Sequence, residues 1–278
     1  MLDKIIEKSP AKINLFLKII NKRKDGFHNI RTGVTLINIC DEIIVEPSDR
    51  LKIKYFGKFT PKDNNFKDCI IKKLFSYLKI PEPNLSFSIH KNFPYKAGLG
   101  SASSNVATVI RILENLELIK KKNIFDYIDL GSDIPLFLNK RDALVRGKGD
   151  LISNILFPKY YFLLVQPSFK CSTKKMYQSI NYEHIDYNSD FDLEDINDQD
   201  NGNDFEKVVL KKEPEFKHLL EYLENLEGSI FSRLTGSGSC LFSVFETKNA
   251  VLQAKEKTFK EYKDLWIEIA EKNNLNLI

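Results

Sequence analysis

Residues 94–105 read Pro-Tyr-Lys-Ala-Gly-Leu-Gly-Ser-Ala-Ser-Ser-Asn, and a helical pattern follows at 106–118. A glycine-containing turn that leads into a helix favours anion binding, because the first N–H groups of a helix lack partners and carry partial positive charge. Gly98 and Gly100 let the backbone approach a phosphate without a Cβ in the way, and the neighbouring serines add donors. The segment therefore predicts a phosphate-binding turn.

An ordinary structural turn is the alternative for this segment. It is not a Walker A loop, since no Gly-Lys-Ser/Thr closes it and Lys96 precedes the glycines. A serine that caps a helix N-terminus would use the same residue types for folding alone. Taken by itself, the segment supports both interpretations equally, and the rest of the chain has to decide.

The composition is that of a globular protein. The chain has 278 residues, of which 42% are apolar and 29% are charged, and this length permits one large domain or two modest ones. The 42 Lys and Arg residues barely exceed the 38 Asp and Glu residues, and no arginine-rich stripe with interleaved aromatics is present. We therefore expect no nucleic-acid partner.

The cysteines, the histidines and the N-terminus indicate where in the cell the protein is expected. The four cysteines and four histidines show no disulfide or metal-ligand spacing, which favours reduced thiols in the cytoplasm. The charged N-terminus does not resemble a secretory signal, and no apolar run approaches the ~18 residues that span a bilayer, so we expect no membrane association.

Residues 176–206 hold ten carboxylates and no Lys or Arg, for which a solvated loop or insertion is a better interpretation than a metal cluster.

Hydrophobic periodicity predicts a mixed order of strands and helices. Strands are expected at 11–20, 31–40, 41–47, 51–56, 85–90, 143–147, 160–165, 231–235 and 240–245, and helices at 64–79, 106–118, 173–180, 216–226 and 249–262, the last of them terminal. Asp25-Gly26 is a strong turn signal, and Asn203-Asp-Phe-Glu206 resembles a capping box that opens a further helix. This order predicts an α+β protein with largely antiparallel sheets and a domain boundary near 147–154.

Three separated segments resemble the motifs of one family, the GHMP kinases, which phosphorylate small alcohols. They are Pro10-Ala-Lys-Ile-Asn-Leu-Phe-Leu17, residues 94–105, and Arg233-Leu-Thr-Gly-Ser-Gly-Ser-Cys240. Asp25-Gly-Phe-His28 and Leu130-Gly-Ser-Asp-Ile-Pro-Leu-Phe137 are similar to one branch of that family, which acts on a cytidine diphosphate-linked methylerythritol in the non-mevalonate isoprenoid pathway. The resemblance covers essentially the full length, in the same order.

The resemblance implies the two-domain GHMP kinase fold. A ribosomal protein S5 domain 2-like N-terminal domain, which binds ATP, would occupy 1–150, and a ferredoxin-like C-terminal domain would occupy 151–278. The active site would lie in the interdomain cleft. The resemblance also implies ATP and Mg²⁺ as cofactors and a small-molecule substrate, for a protein that is a monomer or a homodimer.

The same resemblance assigns the ATP phosphates to the glycine turn and the helix N-terminus, and Mg²⁺ to Ser104. Asp133 would accept the proton of the attacking hydroxyl, and Lys12 would orient that hydroxyl and offset charge. Taken singly, Asp133 is also consistent with a turn residue before Pro135, and Lys12 with an outward strand charge. The nucleotide-binding residues would be Pro94, Tyr95, Lys96, Ala97, Gly98, Leu99, Gly100, Ser101, Ala102, Ser103 and Ser104, with the Asn65 region near the adenosine.

For the substrate, the resemblance places the cytosine between Phe27 and Tyr177, with His28 at its edge. Stacking of this kind is worth ~1–3 kcal/mol per base in single-strand binders. Asn14 lies two residues from Lys12, so both side chains leave the same face of a strand. The remaining substrate-binding residues would be Thr173, Gly236, Ser237 and Gly238, the last three through amides that face the nucleotide phosphates or the substrate diphosphate. Core packing for Phe27, a structural role for His28 and a plain hairpin at 235–240 are the alternatives.

The sequence departs from the pattern of the branch in its second motif and at Phe27. Ser101-Ala102 replaces a pair of glycines, so a positive φ there would be costly. Phe27 stands where tyrosine is usual, which keeps the stacking face and loses a hydroxyl. Neither change removes a catalytic group, and the sequence favours a kinase for the cytidine-linked substrate. The alternatives are a GHMP kinase for another small alcohol, such as mevalonate or homoserine, and a member that binds nucleotide without transferring phosphate.

Overall fold

The computed structural model describes residues 3–61, 69–180 and 202–273. By its internal contacts the chain forms two compact units, each built from several segments. The first unit comprises Met1–Ala11, Ile39–Tyr95 and Gly100–Arg141, and the second comprises Lys12–Asn38, Lys96–Leu99 and Asp142–Ile278. The domains expected at 1–150 and 151–278 stay a prediction.

The elements alternate between strands and helices along the chain. The strands are β1 (Ile5–Lys22), β2 (His28–Pro47), β3 (Lys52–Phe56), β4 (Leu85–His90), β5 (Ala143–Gly147), β6 (Leu151–Asn154), β7 (Tyr161–Gln166), β8 (Ser232–Leu234), β9 (Leu241–Phe245) and β10 (Trp266–Glu271). The helices are α1 (Ile70–Leu78), α2 (Ser101–Asn115), α3 (Ile134–Asn139), α4 (Thr173–Gln178), α5 (Glu206–Lys212), α6 (Pro214–Glu224) and α7 (Lys248–Glu261). The long strands β1 and β2 pair with each other and contribute residues to both units.

The first unit contains β3, β4, the second half of β2 and the helices α1 to α3. Strand β4 runs antiparallel to β2, with Ile43 opposite Ile89, and parallel to β3. The connection from β3 to β4 contains α1, because parallel strands cannot be joined by a tight hairpin. Leu85, Phe87 and Ile89 of β4 are buried and the residues between them are not, as the alternating pattern predicts. Helix α2 packs against both α1 and α3.

The second unit contains an antiparallel sheet in the order β10-β7-β9-β8. Residues Phe162–Val165 of β7 are buried on both faces, which explains their continuous apolar pattern. Helices α5, α6 and α7 supply the apolar side chains Val209, Phe216 and Val251 to the core on this sheet. In the same unit the first half of β2 pairs with β5, and β5 pairs with β6.

The predicted α+β class with largely antiparallel sheets is confirmed. A predicted break between two strands and the predicted terminal position of a helix were wrong. The strands expected at 31–40 and 41–47 are one strand, β2, because Asp41 does not turn the chain but is buried within it and paired with Lys91. The helix at 249–262 is not terminal, since β10 follows it and pairs with β7 along its whole length.

Helix α2 begins at Ser101, earlier than its apolar periodicity predicts, so Ser101 to Ser104 form its first turn. The described part of α1 begins at Ile70, and Asn65 lies outside the described residues. Within residues 3–61, 69–180 and 202–273, no helix is both long and apolar enough to cross a membrane.

Candidate active site

The glycine turn has the backbone conformation that an anion site needs. Lys96, Gly98 and Gly100 have φ values of 58°, 79° and 75°, in the left-handed region that glycine adopts without strain. Ser101 and Ala102 are helical, so the replacement of glycines at these two positions introduces no strain. Gly100 is the N-cap of α2 without a side-chain cap, and the first turn has no acidic residue. The first-turn N–H groups are therefore not satisfied by a capping side chain, which suits a phosphate.

Within the second unit, residues 96–99 pack closely on the turn at 235–240. A Cβ built on Gly98 would lie 2.0 Å from the carbonyl oxygen of Thr235, so only glycine fits there. The Cys240 N–H donates to the Ala97 carbonyl at 3.1 Å, and the Lys12 N–H donates to the Leu99 carbonyl at 3.1 Å. Main-chain bonds thus hold parts of all three sequence motifs together in this unit.

Lys12 and Asn14 lie on one face of β1, as strand alternation predicts. The Lys12 ammonium donates to Asn14 Oδ1, and Asn14 Nδ2 donates to Thr32 Oγ1 at 2.8 Å. A Cβ built on Gly236 would lie 3.1 Å from Lys12 Nζ, which places the ammonium against the 235–240 turn. Lys12 is only 4% exposed, so its charge acts in a medium that screens it less than water does.

The turn at 235–240 is held by residues that sequence reasoning did not assign to the site. Asn203 Nδ2 donates to the carbonyls of Leu234 and Gly236 at 2.8 and 2.7 Å, and Glu206 accepts the Leu234 N–H at 2.7 Å. Burial raises the pKa of Glu206 to about 7. Arg233 Nη1 donates to the Leu15 carbonyl at 2.8 Å. The capping-box pattern pointed to Asn203 and Glu206 but not to this supporting role.

The predicted cytosine-binding residues form two groups in the second unit. His28 and Tyr177 stack on each other, with ring centroids 4.4 Å apart, and burial lowers the pKa of His28. Phe27 is 45% exposed, and the Lys148 ammonium lies 5.1 Å from its ring centroid. Thr173 Oγ1 and Ser237 Oγ are 2.7 Å apart. The structure therefore brings His28 to Tyr177 and Thr173 to Ser237, and it adds Lys148, for which the sequence carried no signal.

In the first unit, Asp133 belongs to a loop that packs on the start of α2. A Cβ built on Gly131 would lie 3.4 Å from Ser103 Oγ. Asp133 is the N-cap of α3, but its carboxylate does not cap that helix, and Pro135 occupies the first turn. The backbone of Asp133 thus lies at the turn that begins α3, just before Pro135.

Ser104 is fully buried in the first unit and bonds to the protein. Its hydroxyl lies 2.6 Å from the Pro10 carbonyl and 2.8 Å from Ser9 Oγ. Ser103, one residue earlier, is only half-buried. In the described part of the chain, no three His, Cys, Asp or Glu residues form a metal-binding group. Most of the acidic stretch at 176–206 lies outside the described residues.

Two family models match this chain. The model described as "GHMP kinases N terminal domain" covers residues 65–137, and "GHMP kinases C terminal" covers residues 190–264. A 4-diphosphocytidyl-2-C-methyl-D-erythritol kinase of Francisella philomiragia subsp. philomiragia is 33% identical over 268 residues, which cover 93% of this chain and 94% of that protein. A kinase of the same name from Pelagibacter ubique is 32% identical over 273 residues, which cover 93% and 95%.

Solved structures share the fold over nearly the whole chain. A crystal structure of 4-(cytidine 5'-diphospho)-2C-methyl-D-erythritol kinase superposes with a TM-score of 0.77 at 23% identity, covering 97% of this chain and 100% of that one. The homoserine kinase from Cytophaga hutchinsonii superposes with a TM-score of 0.61 at 15% identity, covering 98% and 95%. The fold expected from the three motifs is therefore confirmed.

Proposed function

This chain belongs to the 4-diphosphocytidyl-2-C-methyl-D-erythritol kinase family of the GHMP kinases, and we propose that it transfers the γ-phosphoryl group of ATP to the 2-hydroxyl of 4-diphosphocytidyl-2-C-methyl-D-erythritol. The products would be ADP and the 2-phosphate, in the non-mevalonate route to isoprenoid precursors. We infer that the reaction takes place in the cytoplasm.

One observation of the structure supports this proposal above the others. In the second unit, Lys12 of the first motif, Gly98 of the second and Gly236 of the third lie together. A Cβ built on Gly236 would lie 3.1 Å from Lys12 Nζ and 2.8 Å from the Gly98 carbonyl oxygen. Each motif is a weak signal alone, but a lysine ammonium beside two glycine turns is the arrangement that phosphate groups require.

The residues at 94–104 fit the phosphates of ATP. The first-turn amides of α2 lack a side-chain cap, the first turn has no carboxylate to repel an anion, and Gly98 and Gly100 have the positive φ values of a glycine turn. Bound ATP supplies the phosphoryl group, and Mg²⁺ offsets its charge. The role of this chain is to hold the phosphates in line with the acceptor.

Ser104 is the proposed protein ligand of Mg²⁺. A magnesium ion in a kinase takes most of its ligands from phosphates and water, which agrees with the absence of an acidic cluster among the described residues. A hydroxyl oxygen has two acceptor sites, and Ser9 can occupy only one of those on Ser104. Ser104 is fully buried and the neighbouring Ser103 is half-buried. The Mg²⁺ requirements of Ser104→Ala and Ser103→Ala, measured side by side, show which of the two hydroxyls binds the ion.

Asp133 and Lys12 are the proposed catalytic residues. Phosphoryl transfer passes through a loose transition state, so the protein mainly positions groups and offsets charge. Asp133 would accept the proton of the 2-hydroxyl as this oxygen attacks. Lys12 would orient the hydroxyl and offset the negative charge that develops on the transferred group.

The proposed cytidine site consists of Phe27, His28 and Tyr177. Phe27 offers an exposed ring face for stacking, and the lowered pKa of His28 keeps the imidazole neutral near pH 7, able to donate and accept at the edge of cytosine. Asn14, Thr173 and the turn at Gly236, Ser237 and Gly238 would hold the rest of the substrate and its diphosphate.

A coupled ADP-release assay with the full chain, ATP, Mg²⁺ and the cytidine substrate tests the proposal. We expect turnover by the wild type and a loss of at least ~10²-fold in kcat for Asp133→Asn, with ATP binding retained. Turnover of mevalonate or homoserine instead would favour another GHMP activity. ATP binding without turnover of any alcohol would favour a non-catalytic member, and full activity of Asp133→Asn would reject the assigned base.

A further inference from the structure

A cluster of buried polar side chains lies under the first turn of α2, within the first unit. Lys91 is 3% exposed and Asp41 is 0% exposed, and the two form an ion pair. Helix α2 contributes three buried side chains to the cluster and β1 contributes one: Ser101, Ser104, Asn105 and Ser9. The predicted site residues did not include Lys91, Asp41, Asn105 or Ser9, and of these four only Asn105 lies within a segment that resembles the family.

Every proton of the Lys91 ammonium has a partner in this cluster. The ammonium donates to Asp41 Oδ2, to Ser101 Oγ and, at 2.9 Å, to Asn105 Oδ1. Asp41 is equally well satisfied, since its Oδ1 accepts the Asn92 N–H at 2.9 Å and its Oδ2 also accepts from Ser101 at 3.2 Å. A buried pair that is satisfied in this way holds its geometry rigidly. Burial lowers the pKa of Lys91, an effect that the Asp41 carboxylate opposes.

The charge on Lys91 sets the direction of a chain of hydrogen bonds. An ammonium only donates, so it faces the Asn105 oxygen and turns the Asn105 NH₂ toward Ser9 Oγ, 2.9 Å away. With that acceptor position filled, the Ser9 hydroxyl donates to Ser104 Oγ at 2.8 Å, because the Ser104 hydroxyl donates to the Pro10 carbonyl at 2.6 Å. Three hydrogen bonds therefore connect the Lys91 ammonium to Ser104 Oγ, while the Ser104 proton itself goes to the Pro10 carbonyl.

The cluster packs on the inner side of the first turn of α2, whose amides are proposed to bind phosphate. Ser101, Ser104 and Asn105 are spaced i, i+3 and i+4, so they share one face of α2. Ala102 and Ser103, on the other side of the same turn, are exposed and half-buried. The Ser101 hydroxyl gives the Lys91 ammonium a partner that a glycine at this position would not provide.

We propose that Lys91, together with Asp41, is a positioning residue for phosphoryl transfer, which fixes the first turn of α2 and the Ser104 hydroxyl against the ATP phosphates and their metal ion. The inference rests on the proposed function, since it concerns the same nucleotide site. Lys91 does not touch the nucleotide itself, because it is buried and its three donors bond to the protein.

The test uses the double variant Lys91→Met/Asp41→Asn in the full chain. Removing both charges avoids a lone buried ion, which would unfold many proteins. We expect kcat/KM for ATP to fall at least tenfold and the Mg²⁺ requirement to rise, while KM for the cytidine substrate stays within twofold. Ser9→Ala breaks the chain of hydrogen bonds and keeps the ion pair. It should lower kcat/KM for ATP and raise the Mg²⁺ requirement severalfold. If the double variant does not fold, the result for Ser9→Ala decides whether the proposal holds.

Thr35→Val is the matched control, because Thr35 is a buried hydroxyl that donates to a different carboxylate, Asp142, at 2.9 Å in the second unit. Thr35→Val should leave kcat/KM for ATP and the Mg²⁺ requirement unchanged, although it should lose about as much stability as Ser9→Ala. ATP parameters within twofold of the wild type in both the double variant and Ser9→Ala would overturn the proposal, whatever their melting temperatures.

Mg-ADP affinity, measured by calorimetry, separates this inference from the proposed function. If the wild type binds Mg-ADP but does not turn over the cytidine substrate, the proposed function fails, and a tenfold weaker affinity in the double variant still supports the positioning role. If affinity is the same in both proteins, or if the wild type does not bind Mg-ADP, the positioning role is rejected.

Discussion

The Cα of Gly98 faces the carbonyl of Thr235 so closely that a Cβ on Gly98 would lie 2.0 Å from that oxygen. The two residues are far apart in sequence, yet their main chains meet within the second unit. This contact joins the glycine turn of the second motif to the turn of the third. The site therefore depends on a backbone contact that tolerates no side chain.

Gly98→Ala should disrupt this contact. The φ of +79° alone costs an alanine roughly 1 kcal/mol, and the overlap with Thr235 forces a backbone shift that adds about 1–3 kcal/mol. Thermal and denaturant unfolding should show this loss, and KM for ATP should rise. Gly26→Ala is the control for stability, because Gly26 has a φ of +86° with nothing within 4 Å. Equal losses in the two variants would show that the contact does not matter.

Glu206 should make stability depend on pH. Burial raises its pKa from an ordinary 4.5 to about 7, so the folded state retains a proton that the unfolded state releases. The stabilisation from this proton is present below about pH 4.5 and is lost as the pH rises toward 7. We expect the free energy of unfolding of the wild type to fall between pH 5 and 8 relative to that of Glu206→Gln, in which the amide oxygen can still accept the Leu234 N–H. A difference that stays constant with pH would contradict the assignment.

Asn203→Asp should be strongly destabilising. The Asn203 amide donates to two carbonyls, and a carboxylate would place oxygen against both in a site that is 3% exposed. An unpaired buried charge costs roughly 3–5 kcal/mol. Asn225→Asp removes a similar bond, from Asn225 Nδ2 to the Glu221 carbonyl at 2.8 Å, at an exposed position and should cost less than about 1 kcal/mol. Urea unfolding of both variants measures the difference.

Phe27→Ala should weaken substrate binding without destabilising the fold. If the ring stacks on cytosine, its loss raises KM for the cytidine substrate about 5- to 100-fold and leaves KM for ATP unchanged. Phe259→Ala is a matched control, since that ring is 55% exposed on α7. Phe27→Tyr should retain wild-type KM because it keeps the stacking face. An unchanged KM in Phe27→Ala would instead support a kinase for an alcohol that lacks the base.

Lys12→Met should lower kcat more than it changes KM for ATP, because an ammonium that offsets charge in the transition state contributes little to ground-state binding. A fall of ~10²-fold or more in kcat is expected in steady-state assays. Lys12→Arg should not restore full activity, since a planar guanidinium cannot reproduce a compact ammonium that bonds to Asn14. Near-normal kcat in Lys12→Met would remove Lys12 from the catalytic residues.

Much of this protein could be predicted from local patterns in its sequence. The alternation of Leu85, Phe87 and Ile89 determined a half-buried strand, and Gly98 and Gly100 determined a turn with positive φ. These features depend on a few consecutive residues, because side-chain periodicity and φ restrictions are local properties of the chain. Three such motifs in order were enough to identify the family, and with it the proposed activity.

Only the tertiary structure decided which buried polar groups became partners. Lys91 meets Asp41 across 50 positions, and Arg233 meets the Leu15 carbonyl across 218. Every buried polar group needs a partner, but the sequence does not say which, since many donors and acceptors could satisfy the same requirement. Packing selects one arrangement. That is why the sequence by itself predicted a phosphate turn, while the buried side chains that bond to it emerged only from the folded chain.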